Sequence, residues 1–180
     1  MKTLLLLDFI NEIVHKDGKL SAKGYNEQCK KRNVYKNIRE AEGAADQVIH
    51  IGLGFEQDYS DKPVNSPLFK DVDKEGILKK DTWSTELVES VRKPNKFVYK
   101  NRISPFVNPL VKNLLKGSEE VYIGGVATDI VVQSTARDLH DLDFNTVVLE
   151  DCCAAASEEE HKNAVENLKK FVSVKSCKDI

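Results

Sequence analysis

The chain has 180 residues, enough for one domain with its own core but cramped for two. It carries 27 Lys and Arg against 29 Asp and Glu, a net charge of -2. That balance argues against a general nucleic-acid binder, which needs a basic face to displace counterions.

The predicted elements alternate between strand and helix. Thr3 to Asp8 reads as a buried strand that ends in a carboxylate. The run is too short, and Asp8 cuts it too soon, for a membrane span of about 20 residues or for the apolar part of a signal peptide. A polar helix follows over Glu27 to Ala41, with Val34, Ile38 and Ala41 at helical spacing. The second strand is Asp46 to Ile51. A long connection, Gly52 to Asn95, then breaks the rhythm with three glycines, three prolines and the aromatics Phe55, Tyr59, Phe69 and Trp83. Connections of that length are usually functional, so it reads either as a lid over the sheet end or as a surface elaboration packed by its own rings. Phe97 to Lys100 is the third strand and Asn108 to Leu115 the next helix. Glu120 to Ile123 is the fourth strand; Gly124 and Gly125 then turn the chain toward a helix over Thr128 to Leu142, with Thr128 as its cap. Thr146 to Leu149 is the fifth strand. Ser157 and Glu160 form a capping box for a helix ending near Leu168, and Phe171 to Val174 is a weak sixth strand. Continuous apolar strands between helices predict an α/β domain with a parallel sheet covered on both faces. Ligands in such sheets bind beyond the carboxyl ends of the strands.

Two charges stand at such ends, Asp8 and Lys100. A carboxylate at the end of a buried strand must be paired, so the two read either as a structural ion pair or as a catalytic pair. The glycine turn at 124–125 presents backbone N–H groups suited to an anion or oxyanion. The four cysteines, Cys29, Cys152, Cys153 and Cys177, match neither a zinc site nor a disulfide frame, and predict a reduced, cytoplasmic protein. Cys152 and Cys153 read as small core residues, as does His50 with its polar atoms satisfied. His140 and His161 are expected to face solvent or to cap neighbouring groups.

Taken together, LLLLDFINE at Leu4–Glu12, TWSTEL at Thr82–Leu87, KNRISPF at Lys100–Phe106, GGVATDIVVQSTARD at Gly124–Asp138 and LEDCCAAASEEEH at Leu149–His161 resemble the isochorismatase-like, or cysteine hydrolase, family. The resemblance spans nearly the whole chain. It implies one domain over residues 1–180, a three-layer Rossmann-like sandwich around a doubly wound, mostly parallel six-stranded sheet. It implies a hydrolase of a small organic molecule, a homo-oligomer, with Asp8 and Lys100 at the positions of the family's acid/base aspartate and lysine. It further implies a cis peptide between Val126 and Ala127 at the substrate. The family's amidases carry a nucleophilic cysteine three residues after the motif threonine; here that position is Val131, which has no lone pair to attack with. Isochorismatases also lack that cysteine, and cleave a vinyl ether with a proton donor and water. The chain is therefore read as a hydrolase using Asp8 and Lys100 without cofactor or covalent intermediate. The alternatives are a catalytically silent binding or regulatory protein and a water-using amidohydrolase. Nicotinamidases of the family hold a metal through an Asp-x-His pair and a further His after the second strand; the stretch here is Gly-Leu-Gly-Phe, so no metal is expected. Tyr59, Trp83, Arg102, Val126 and Ala127 are the expected substrate contacts, with Arg102 poised for a carboxylate.

Overall fold

The first apolar run forms the central strand of a sheet. In the computed structural model, which describes residues 1–91 and 96–180, β1 (Lys2–Leu7) is flanked on both sides. Its neighbours are β2 (Gln47–Leu53) and β4 (Glu120–Val126), and all its leucines are buried. β3 (Phe97–Lys100) extends the sheet beyond β2; β5 (Thr146–Ala154) and β6 (Ser173–Lys175) extend it beyond β4. All pairs are parallel, in the order β3-β2-β1-β4-β5-β6. This is the predicted three-layer, doubly wound α/β sandwich. The order reverses between β1 and β4, the place where such sheets open a crevice at their carboxyl ends.

Two apolar clusters lie on the two faces. Leu4 and Leu6 point into one with Ile38 and Phe55; Leu5 and Leu7 point into the other with Val111, Val132 and Leu139. The strand period of two sends alternate leucines to opposite sides, which is why β1 reads as an unbroken apolar run.

The helices are α1 (Asn11–Val14), α2 (Tyr25–Lys31), α3 (Val34–Ala44), α4 (Val72–Glu75), α5 (Pro109–Leu114), α6 (Gln133–Asp141) and α7 (Glu158–Leu168). Three expectations need correction. The helix expected over 27–41 is two helices, broken at Asn33, whose φ of 55° lies in the left-handed region that asparagine tolerates. Gly124 and Gly125 lie inside β4 rather than in a turn. A Cβ on Gly125 would come within 2.8 Å of the Leu7 Cβ, and one on Gly124 within 2.9 Å of the Cys152 Cβ, so close strand packing demands the two glycines. Thr128 does not cap a helix. Thr128–Val132 form a π-helical turn that leads into α6, and the Thr128 hydroxyl is used elsewhere.

Candidate active site

The site is built where β1, β2, β3 and β4 end. Asp8 follows β1 with φ 60°, a left-handed conformation open to aspartate; its N–H donates to the Ile51 carbonyl at 2.8 Å. Its Oδ1 accepts from the Leu53 N–H at 2.8 Å, so β2, lying between β1 and β3, holds one carboxylate oxygen. The other oxygen, Oδ2, meets Lys100 Nζ at 2.8 Å; both side chains are buried. Lys100 Nζ also donates to the Arg102 carbonyl at 3.1 Å. Burial pushes the Asp8 carboxyl above the ordinary carboxylate range. The ammonium of Lys100 and the Leu53 N–H pull it back by less.

A cavity of about 80 Å³ opens on this pair. That is several times the room one water molecule needs by the same measure. Val126, Ala127, Ile130 and Val131 line it from β4 and the π turn. The peptide between Val126 and Ala127 is cis, as the resemblance implied. Asp8, Lys100 and Val131 thus converge on one pocket. All lining residues but Asp8, Lys100, Lys23 and Tyr25 are hydrocarbon.

The model of the Isochorismatase domain matches residues 2–179. The chain belongs to the isochorismatase family. As a family member it is a hydrolase, and its relatives fit that reading. It is 25% identical over 176 residues to the uncharacterized isochorismatase family protein YecD of Escherichia coli O157:H7, covering 94% of this chain and 82% of the relative. It is 28% identical over 188 residues to the ureidoacrylate amidohydrolase RutB of Acinetobacter baylyi, covering 93% and 77%. In fold it is similar to the crystal structure of a cysteine hydrolase from Pseudomonas syringae pv. phaseolicola, with a TM-score of 0.83 at 19% identity, covering 99% and 89%.

In this isochorismatase-family hydrolase the long connection does wall the cavity, but with Leu68, Phe69, Val72 and Leu78, beside Leu53 at the end of β2. Residues 92–95 of that connection lie outside the described residues. Tyr59 and Trp83, the rings expected at the substrate, are not among the lining residues. The Tyr59 hydroxyl donates to the Ile77 carbonyl at 2.7 Å, and its ring packs against Phe55. Trp83 is half exposed and stands edge-on to His15 at 5.3 Å between ring centres. The Arg102 guanidinium turns outward, donating to the carbonyls of Asp61 at 2.8 Å and Asn101 at 2.7 Å, so its backbone rather than its charge serves the site. Of the expected contacts, Val126 and Ala127 alone face the cavity.

The sequence reading also missed groups that hold the site together. Glu12 is buried on α1; its Oε1 accepts from the Lys19 N–H at 2.7 Å and its Oε2 from the Ser84 hydroxyl at 2.8 Å, tying the connection to the strand-one motif. Asn11 Nδ2 donates to the Trp83 carbonyl at 2.9 Å. The signal was the pair Asn11-Glu12 directly after an apolar run. Of the two expectations for His161, the second holds: it is buried and bonds a neighbouring group, with Nδ1 2.8 Å from the Thr128 hydroxyl, which fixes the π turn to α7. His50 is a core residue, but neither ring nitrogen has a hydrogen-bond partner among the described residues. Burial lowers its pKa to about 4, so the imidazole is neutral and its 3.8 Å approach to Glu42 is no ion pair at neutral pH. No histidine lines the cavity among the described residues.

Proposed function

We propose that the chain hydrolyses a small, mostly apolar molecule carrying one polar scissile group, with Asp8 as proton donor and water as nucleophile. The observation that carries this reading is the buried Asp8–Lys100 contact on the cavity whose nucleophile position is Val131. A wall that is hydrocarbon apart from Asp8, Lys23, Lys100 and Tyr25 gives a multiply charged substrate few partners for its charges, and desolvating such a charge is costly. Asp8, its pKa raised by burial, keeps its proton to higher pH than a solvated carboxyl and donates it to the reacting atom. Lys100 stabilises negative charge as it develops and, after proton transfer, pairs with the Asp8 carboxylate. Water then attacks the activated carbon, gives a proton back to the Asp8 carboxylate, and the scissile bond breaks to release the leaving group. These steps draw only on the chain's own groups and water. The amidohydrolase relative favours a second reading, in which ionised Asp8 takes a proton from the attacking water and the substrate is an amide.

Both readings exclude an acyl-enzyme. The four cysteines are buried, and burial pushes the thiols of Cys29 and Cys153 up to about 12, so none is an accessible thiolate. The test is a panel of neutral apolar enol ethers, esters and amides beside carboxylate-bearing analogues, assayed before and after iodoacetamide. Neutral compounds are expected to turn over, alkylated wild type to keep its activity, and a Val131→Cys variant to be inactivated. Loss of wild-type activity on alkylation of folded protein, or a covalent adduct seen by intact mass during turnover, would overturn the mechanism.

A further inference from the structure

The cavity leaves another cluster of reactive groups unused. Asp151 and Cys152, on β5, meet Cys177 at the start of the turn Cys177–Asp179. One carboxylate oxygen and the two thiol sulfurs all lie within 4.8 Å of one another, and none of these residues lines the Asp8–Lys100 cavity. We infer that Asp151, Cys152 and Cys177 form a binding site for a soft divalent cation of the zinc class.

The donor set suits such an ion. Two sulfurs and a carboxylate oxygen are zinc-type ligands, with bonds of about 2.0–2.3 Å, and such donors around one ion stand roughly 3.3–3.8 Å apart. Closing the triangle observed here shortens its sides by at most about 1.5 Å. The carboxylate is already oriented. Asp151 Oδ2 accepts from the Ser176 hydroxyl at 2.7 Å, and both its oxygens accept from the Cys177 N–H, at 2.9 and 3.1 Å. Ligand carboxylates in metal sites are fixed by just such outer hydrogen bonds. Glu40, exposed on α3, places Oε2 3.5 Å from Cys177 Sγ. It marks the approach from solvent.

Capping of the turn explains the Asp151 hydrogen bonds but not why two thiols are gathered beside carboxylates within an apolar cluster. A disulfide gains nothing from oxygens aimed at its sulfurs; a cation does. On binding, each thiol releases its proton to solvent and each sulfur bonds the ion. Two thiolates and the Asp151 carboxylate then more than offset the charge of the ion.

The experiment uses the reduced full-length chain and the metals alone. Cobalt(II) is expected to bind at one equivalent with a thiolate-to-cobalt charge-transfer band, and zinc to displace it. X-ray absorption of the zinc form is expected to show two sulfurs at about 2.3 Å, and excess zinc to raise Tm by several degrees. Cys177→Ser and Cys152→Ala should each weaken cobalt binding at least about 100-fold. Absence of the band, a zinc shell without sulfur, or a Cys152–Cys177 disulfide in place of metal in the reduced protein would overturn the site. The wild-type spectra decide the matter even if a variant fails to fold.

Discussion

At the scale of single residues, the contest at Asp8 is between burial, which favours the neutral carboxyl, and Lys100, which favours the carboxylate. Acting as a proton donor, Asp8 makes turnover fall as pH rises through its raised pKa. Replacing it with asparagine keeps the shape and removes the proton. We expect Asp8→Asn to lower kcat/KM by about 10²–10⁴-fold and to abolish that limb of the pH–rate profile. Lys100→Met, having lost the cation that lowers the Asp8 pKa, should move the limb to higher pH; a shift to lower pH would sink the assignment. Asp8 and Lys100 were legible in the sequence because each sits at a strand end, where the backbone direction fixes the side chain; Val131 was picked out by the resemblance alone. Tyr59, Trp83 and Arg102 were not. Each lies outside the strands and α-helices, and its orientation is set by a distant partner: the Ile77 carbonyl, His15 and the Asp61 carbonyl.

At the scale of elements, the break between α2 and α3 follows from one side chain. Arg32, at the end of α2, points its guanidinium at β5: Nε donates to the Cys153 carbonyl at 3.0 Å, Nη2 to the Glu150 carbonyl at 3.2 Å, and Nη1 pairs with Glu158 of α7 at 3.2 Å. One residue therefore joins two helical layers to the strand between them. A regular helix through Asn33 would carry Arg32 off these acceptors. Helical spacing alone predicted the unbroken helix, because the acceptors lie more than a hundred residues away in sequence. Replacing Arg32 by methionine keeps much of the packing but leaves two carbonyls without their donor and Glu158 with Lys162, 3.8 Å away, in place of the guanidinium. We expect a loss of about 3 kcal/mol, read as a lower urea midpoint at unchanged slope. A midpoint equal to wild type would show that water serves those groups equally well. The long connection taught the same lesson. Its length left a lid over the sheet end and a surface elaboration both open, and the Ser84 to Glu12 hydrogen bond that ties it to α1 crosses 72 positions.

For the whole molecule, the alternation of strands and helices sufficed for the parallel sheet, since an apolar run buried on both faces has few other homes. Strand order was not legible: the resemblance implied a doubly wound sheet, and nothing local tells one strand which neighbours it will take. The same two-sided burial sets the protein's response to acid. His50, under α3, and His161, bonded to Thr128, are both buried, and their pKa values fall from 6.5 to about 4. Between those values the unfolded chain binds protons that the folded chain refuses, so stability falls as pH drops from about 6.5 toward about 4. Each histidine contributes a slope of about 1.4 kcal/mol per pH unit in the middle of that window. Asp8 acts in the opposite sense: its raised pKa adds stability at low pH that is lost as pH rises through the folded value. The histidine contribution is separable by His50→Leu, which removes an imidazole that makes no hydrogen bond among the described residues. Denaturation curves collected from pH 4 to 7 should show the variant gaining on wild type as the solution is acidified, by about 1.4 kcal/mol per unit. Above pH 6.5 the difference between the two should be constant. Curves that stay parallel throughout would mean that His50 accepts its proton in the folded state, with the carboxylate of Glu42, 3.8 Å away, holding it there.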